Sequence, residues 1–262
     1  EITALNERLE EENMRMSAEL EVTRQLQQMV LPKEEELQQI EGLDIAGFME
    51  PAEEVGGDYY DVLVHNGHVK IGIGDVTGHG LESGVLMLMV QMAVRTLLIN
   101  GVTDSEKFLS VLNRAVFDNA RRIQTDKNLT LSLLDYEAGT LRLTGQHEDV
   151  LLVSKDGNVE LIDTFELGFM IGVKPDISAL VSQMEIQLQP GDGIVLYTDG
   201  ITEAQNMDEE QYGIERLCEV VSRNWQQSAL EIQQAVVADV RHYISDQKVF
   251  DDITVLVLKQ MA

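Results

Sequence analysis

The chain has 262 residues and is short of cysteine, histidine, aromatic residues and positive charge. Its single cysteine, Cys218, rules out an internal disulfide and any cysteine-based zinc cluster, and it fits a reducing, cytoplasmic setting. Only 19 Lys and Arg stand against 46 Asp and Glu, which gives a formal charge of −27. A field of that sign repels phosphate backbones and anionic headgroups, so no nucleic acid and no membrane surface is expected as a partner. The surplus of carboxylates turns attention to divalent cations instead. No basic stretch followed by an apolar run opens the sequence, and neither an internal repeat nor a low-complexity tract interrupts it. With 44% hydrophobic residues against 25% charged, the chain is equipped for a substantial core.

Residues 1–30 lack glycine and proline and place Ile2, Leu5, Leu9, Met16 and Leu20 roughly on one stripe, which predicts a helix that Pro32 ends. Glu12 and Glu19 interrupt a strict heptad. The preferred reading is a parallel dimerisation helix over 1–31, preceding a folded domain over 32–262. The other reading is a long helix lying along its own domain. From Ile45 the texture changes to short β-like runs, and Asn66-Gly67 between Val62–Val64 and Val69–Ile73 is a two-residue hairpin signal. Leu81–Ile99 is apolar nearly all round and approaches a membrane span in length. Glu82, Gln91 and Arg95 interrupt it, so a buried core helix is expected. A second helix should follow an Asp104 or Ser105 cap. Further strands are expected near 129–134, 141–144, 150–153, 159–162, 194–197 and 253–258, with helices at 213–224 and 229–245. Hairpin-linked strands with helices in blocks, and no βαβ alternation, point to an α+β fold of antiparallel sheets covered by helices.

Four acidic sites fall at strand ends or in glycine-flanked turns: Gly56-Gly57-Asp58-Tyr59-Tyr60-Asp61, Gly74-Asp75-Val76-Thr77-Gly78-His79-Gly80, Tyr197-Thr198-Asp199-Gly200 and Phe250-Asp251-Asp252-Ile253-Thr254. If Asn66-Gly67 is the turn, register places Asp58 directly across from Asp75, and alternation sends Asp61 to the opposite face. Facing like charges destabilise a sheet unless a cation compensates, and an all-carboxylate, histidine-poor set suits Mg²⁺ or Mn²⁺ better than Zn²⁺. Between the neighbours Asp251 and Asp252 chemistry alone does not choose. The glycine spacing around Asp75 fits neither a dinucleotide fingerprint nor a P-loop. His65 and His68 flank the hairpin turn and are read as exposed, and Ser83 near His79 lacks a third partner for a triad.

These segments, in this order and together with the helix ending Val30-Leu31-Pro32, resemble the metal-dependent PPM (type 2C) serine/threonine protein phosphatases of the bacterial SpoIIE/RsbU-like branch. The likeness runs from about Glu19 to Leu258. It implies an α-β-β-α sandwich of two antiparallel sheets with a two-metal site at one edge. It further implies that Asp75 bridges two Mn²⁺ or Mg²⁺ ions, with the Val76 carbonyl as a backbone ligand, Asp199 and Asp251 completing one ion, and Asp58 binding ions or their waters. Such ions lower the pKa of a water for in-line attack on phosphate. His79 is the histidine inside a motif and the candidate proton donor to the leaving oxygen. Two departures stand out: Thr144-Gly145-Gln146-His147-Glu148 replaces the Asn-Ala-Gly-His-type segment of many relatives, and no counterpart of the eukaryotic phosphate-binding arginine is evident. The implied substrate is a phosphoserine or phosphothreonine on a partner-switching regulator such as an anti-sigma-factor antagonist, with an upstream sensory or receiver domain acting through the N-terminal helix. Glu203–Tyr212 reads as a mobile acidic flap. The competing function is a catalytically silent phosphatase-like module that only holds a partner.

Overall fold

A computed structural model describes residues 25, 27–52, 55–78 and 80–261. Most of the expected N-terminal helix, and with it the proposed dimer stripe, lies outside the described residues. Residues 27–30 are helical, and Leu31 packs on the core before a single turn, α1 (Glu34–Leu37).

Among the described residues, ten strands form two five-stranded antiparallel sheets. The first runs β1 (Leu43–Glu50), β10 (Ile253–Gln260), β9 (Gly193–Tyr197), β6 (Val150–Val153), β7 (Val159–Ile162) in spatial order. The second runs β2 (Asp58–His65), β3 (His68–Val76), β4 (Leu129–Glu137), β5 (Thr140–Gln146), β8 (Gln183–Gln187). Residues of one parity from each sheet, among them Tyr60, Ile71, Ile73, Leu196 and Leu256, meet between the sheets. The opposite parity faces helices. Tyr59, Leu131 and Leu133 pack against α2 (Leu81–Ile99) and α3 (Ser105–Ile123). On the other side Val195, Val255 and Val257 pack against α5 (Ile214–Asn224) and α6 (Ala229–Ile244). The result is the expected four-layer α-β-β-α sandwich, with period-2 burial in the strands setting which side each residue serves.

The local signals act as anticipated. Asn66 and Gly67 both take positive φ, and the β2–β3 ladder closes with His65 opposite His68. Asp104 caps α3, its carboxylate accepting from the Lys107 N–H at 2.7 Å. In α6, Ser228 and Glu231 form a capping box. Two elements escape the sequence patterns: β8, whose alternation is polar on an exposed edge, and the one-turn α4 (Asp199–Thr202). The helix expected as a buried core helix at Leu81–Ile99 packs into the core along one side. One side of α2, through Leu86, Met87, Val90 and Val94, is sealed on the second sheet, while among the described residues no layer covers the other side, where Met92 is 60% exposed.

Candidate metal centre

The site is assembled at one end of the sandwich from both sheets. Asp58 opens β2 and Asp75 closes β3, and the ladder pairs them directly, as the hairpin register requires. Asp199 follows β9 and Asp251 precedes β10, two antiparallel neighbours whose ends therefore coincide. Val76, the last residue of β3, presents its carbonyl to Gly57, where a Cβ would approach it to 2.7 Å; only glycine lets the two segments lie this close. His79 falls outside the described residues.

Asp58 is 1% exposed and bound by the other sheet: its Oδ2 accepts from the Thr198 hydroxyl at 2.8 Å and from the Thr254 hydroxyl. Burial, then Asp252, then Asp75 push its pKa well up, against the lowering pull of the two threonines. Asp75 rises to about 8 through burial and the fields of Asp199, Asp251 and Asp252, with its neighbour Asp58 pulling the other way. Asp199 rises to about 6 through burial, Asp251 and Glu203. Among the described residues none of the four has a salt bridge, and no three His, Cys, Asp or Glu side chains stand close enough together to hold an ion as they are placed. The set fits a divalent cation by its donors: the register and the neighbouring strand ends bring Asp58, Asp75, Asp199 and Asp251 to one end of the sandwich, and every ligand atom is a hard oxygen.

The structure separates the neighbouring acids that chemistry left open. Asp252, 2% exposed, accepts from the backbone N–H groups of Ala52 at 2.8 Å, Gly57 at 2.6 Å and Asp58 at 3.2 Å. It anchors the Gly56-Gly57-Asp58 turn onto the first sheet. Asp251 is exposed, its Oδ1 accepts the Asp252 N–H at 2.8 Å, and its charge raises Asp75 and Asp199. Asp61, as alternation demands, lies on the helix side, where its Oδ2 accepts from the Gln91 amide at 3.3 Å.

Three contributors carry no sequence motif of their own. Gln27, in the helical stretch before Pro32, grips both backbone groups of Gly56: its amide nitrogen donates to the Gly56 carbonyl at 2.9 Å and its oxygen accepts the Gly56 N–H at 3.1 Å. Glu148, in the segment that departs from the usual pattern, is raised to about 7 by burial and then by Asp199, Asp149 and Glu203. His147 donates from Nε2 to the Tyr197 carbonyl at 3.1 Å and accepts at Nδ1 from the Thr130 hydroxyl at 2.8 Å. Desolvation lowers it to about 4, so the ring is a neutral strut between the sheets. Lys127 donates to the Thr77 carbonyl at 2.8 Å and Ser83 to the Gly78 carbonyl at 2.7 Å, fixing the loop after β3. The segment Glu203–Tyr212 is fastened rather than free. Asn206 Oδ1 accepts from the N–H groups of Asp208 and Glu210, the Tyr243 hydroxyl donates to the Gln211 carbonyl, and Arg216 lies over the Tyr212 and Tyr243 rings.

Residues 65–260 match the family model described as Stage II sporulation protein E (SpoIIE). The chain is 28% identical over 250 residues to "Phosphoserine phosphatase RsbU" of Bacillus subtilis, covering 94% of this chain and 71% of that protein. In fold it is similar to the SiaA-PP2C domain of Pseudomonas aeruginosa, with a TM-score of 0.81 at 21% identity, 95% of this chain and 98% of that one being covered. It is also similar to the catalytic domain of the serine/threonine protein phosphatase PstP in complex with 2 manganese ions, with a TM-score of 0.60 at 15% identity, covering 84% and 99% of the two chains. The paired aspartates, the sheet order and the matched span agree, and the chain belongs to the SpoIIE family of PPM-type protein serine/threonine phosphatases.

Proposed function

We propose that this chain hydrolyses phosphoserine or phosphothreonine on a partner-switching regulator of the anti-sigma-factor-antagonist type, with two Mn²⁺ or Mg²⁺ ions. The observation that carries the reading is the register pairing of Asp58 with Asp75 beside Asp199 and Asp251, four carboxylates at one end of the sandwich that no described Lys or Arg pairs with. Asp75 would hold both ions, the Val76 carbonyl would serve as a backbone ligand, Asp199 and Asp251 would complete one ion, and Asp58 would bind ions or their waters. When bound, such ions supply an acidified water and neutralise phosphate charge. The chain's own part is positional. Thr198 and Thr254 aim Asp58, Asp252 ties the Gly57 turn down, and Gln27 links that turn to the N-terminal helix. His79 would protonate the leaving oxygen. The setting proposed is cytoplasmic, with residues 1–31 joining an upstream sensory or receiver domain to the phosphatase domain over 32–262 and pairing two copies.

The test is Mn²⁺-dependent hydrolysis of p-nitrophenyl phosphate and of a phosphoserine peptide. Asp75→Asn should lower the rate by at least about a hundredfold. Activity that survives in Asp75→Asn would sink the site assignment. A wild type that binds Mn²⁺ yet turns nothing over would favour the silent binding module. For the dimer, sedimentation before and after deletion of residues 1–31 should show a halved mass; an unchanged mass refutes it.

A further inference from the structure

Register sets two of the metal acids in one row across the second sheet. Asp58 pairs with Asp75, and Asp75 pairs with Thr130. The β4–β5 ladder ends with Leu131 opposite Gln146, and its next step sets Thr130 opposite His147. Directly opposed residues share a face, so Thr130 stands on the same side of the sheet as Asp75. His147 lies two strand spacings from Asp75, about 10 Å away, and reaches it only through Thr130. From there the ring crosses to the first sheet. The Tyr197 carbonyl can only accept, so Nε2 carries the proton and donates to it at 3.1 Å, while Nδ1 accepts from the Thr130 hydroxyl at 2.8 Å. The β6–β9 ladder stops at Leu151 opposite Val195, two residues short of Tyr197, and the imidazole stands where the next strand residue would. The backbone of His147 is held in turn by the buried Thr164, whose hydroxyl accepts the His147 N–H at 2.9 Å and donates to the His147 carbonyl. The two ends of the row thus grip adjacent residues of the first sheet: Asp58 accepts from Thr198, His147 donates to Tyr197, and Asp199 follows directly. Among the described residues the other side-chain ties between the sheets at this end, from Thr254 and Asp252, run to Asp58 and the turn before it.

We propose that His147 is a positioning residue of the metal centre: by joining Thr130 to the Tyr197 carbonyl it fixes the offset between Asp75 and Asp199, and with it the affinity for the ion that these two share. The proposal rests on the two-ion reading above. Tied through Asp58 alone, the row would be pinned to the first sheet at one end, and the repulsion among Asp75, Asp199 and Asp251 would act to part the sheets at the other. With His147 in place both ends are pinned. An imidazole suits this task because its two nitrogens are set by the ring, so the span from Thr130 to Tyr197 cannot stretch. Loss of either bond leaves the ring attached to one sheet only, so the two bonds act as a unit. The segment Thr144-Gly145-Gln146-His147-Glu148 thereby serves the centre through a residue that touches neither ion nor substrate.

The test is calorimetric titration of the full chain with Mn²⁺, with the electron paramagnetic resonance spectrum of bound Mn²⁺ as a second readout. His147→Ala should lower the affinity for one ion at least about tenfold, the size of loss that follows removal of a group behind a metal ligand. Thr130→Val, which keeps the side-chain shape and removes only the hydroxyl, should do the same, and the double variant should bind no more weakly than His147→Ala. In all three the spectrum should move from that of a coupled pair of ions toward that of separate ones. The control is Tyr136→Phe, which removes a bond between the same two sheets at their other end, from the Tyr136 hydroxyl to Gln260 Oε1 at 2.8 Å. It should lower the melting temperature and leave Mn²⁺ affinity unchanged. Wild-type affinity and spectrum in His147→Ala or Thr130→Val overturn the proposal. So does a double variant whose loss is the product of the two single losses, or a Tyr136→Phe that loses as much affinity. If His147→Ala does not fold, Thr130→Val against Tyr136→Phe decides. A wild type that binds no Mn²⁺ refutes the two-ion reading and this proposal with it, whereas binding that all variants share refutes the proposal alone.

Discussion

Asp252 accepts three backbone N–H groups while Asp251, one residue earlier, is exposed and adds its charge to the acid cluster, and this difference predicts opposite phenotypes. Asp252→Ala strips charged acceptors from the Gly57 turn and should cost about 2–4 kcal/mol in chemical denaturation, partly offset by relief of repulsion. Asp251→Ala should leave stability nearly unchanged and weaken Mn²⁺ binding, read by calorimetry. Asp61 offers a pH test away from the ions. Burial, opposed by Arg95, Gln91 and the Val62 N–H, raises it to about 6 from an ordinary 3.8. The folded state therefore holds the proton more tightly than the unfolded one. The resulting stabilisation is fully present below about pH 4 and is lost as pH rises through about 6. Two pKa units correspond to about 3 kcal/mol. Asp61→Asn should flatten that slope in urea denaturation followed from pH 4 to 7; a slope equal to wild type would show that Asp61 is not its source.

Among the elements, α4 matters more than its one turn suggests. It places Asp199 at its first residue and brings Gly200 against β10 so closely that a Cβ would lie 2.0 Å from the Asp252 carbonyl. Gly200→Ala has to push α4 off the strand. A loss of about 2–3 kcal/mol is expected, together with weaker Mn²⁺ binding, because Asp199 moves with the turn. The segment after α4 is secured through Tyr243 and Arg216, so Arg216→Ala, which also frees Asp239 from its 2.7 Å ion pair, should open 203–212 to limited proteolysis before the rest of the chain. A cleavage pattern like wild type would mean that the Asn206 and Tyr243 hydrogen bonds hold the segment without Arg216.

For the whole molecule, the −27 charge divides into surface acids and a few that two sheets force together. An ion that binds only the folded state stabilises it by about 2.7 kcal/mol at a hundred times its Kd. Mn²⁺ should therefore raise the melting temperature and a chelator should lower it. Asp75→Asn removes a buried repulsion, so in chelator it should melt above wild type and fail to respond to Mn²⁺; a variant that still responds would place the ions elsewhere.

Much of this was legible in the chain. The Asn66-Gly67 turn alone fixed which residue faces Asp75, because register in a two-residue hairpin leaves no freedom, and alternation then put Asp61 on the helix side. Hairpin spacing gave the antiparallel sheets, and the Asp104 cap gave the start of α3. What no local pattern could carry were the relations across the sandwich. These are Thr198 and Thr254 of one sheet aiming Asp58 of the other, Asp252 rather than Asp251 tying down the Gly57 turn, Gln27 gripping Gly56, and Glu148 lifted by Asp199. The exposed flank of α2 belongs with them, since uniform hydrophobicity says that a helix needs cover without saying which layers exist to provide it. Register is a property of neighbouring residues and their turn, so sequence determines it; desolvation and field are properties of what two distant segments do to each other, so only the packed sheets decide them.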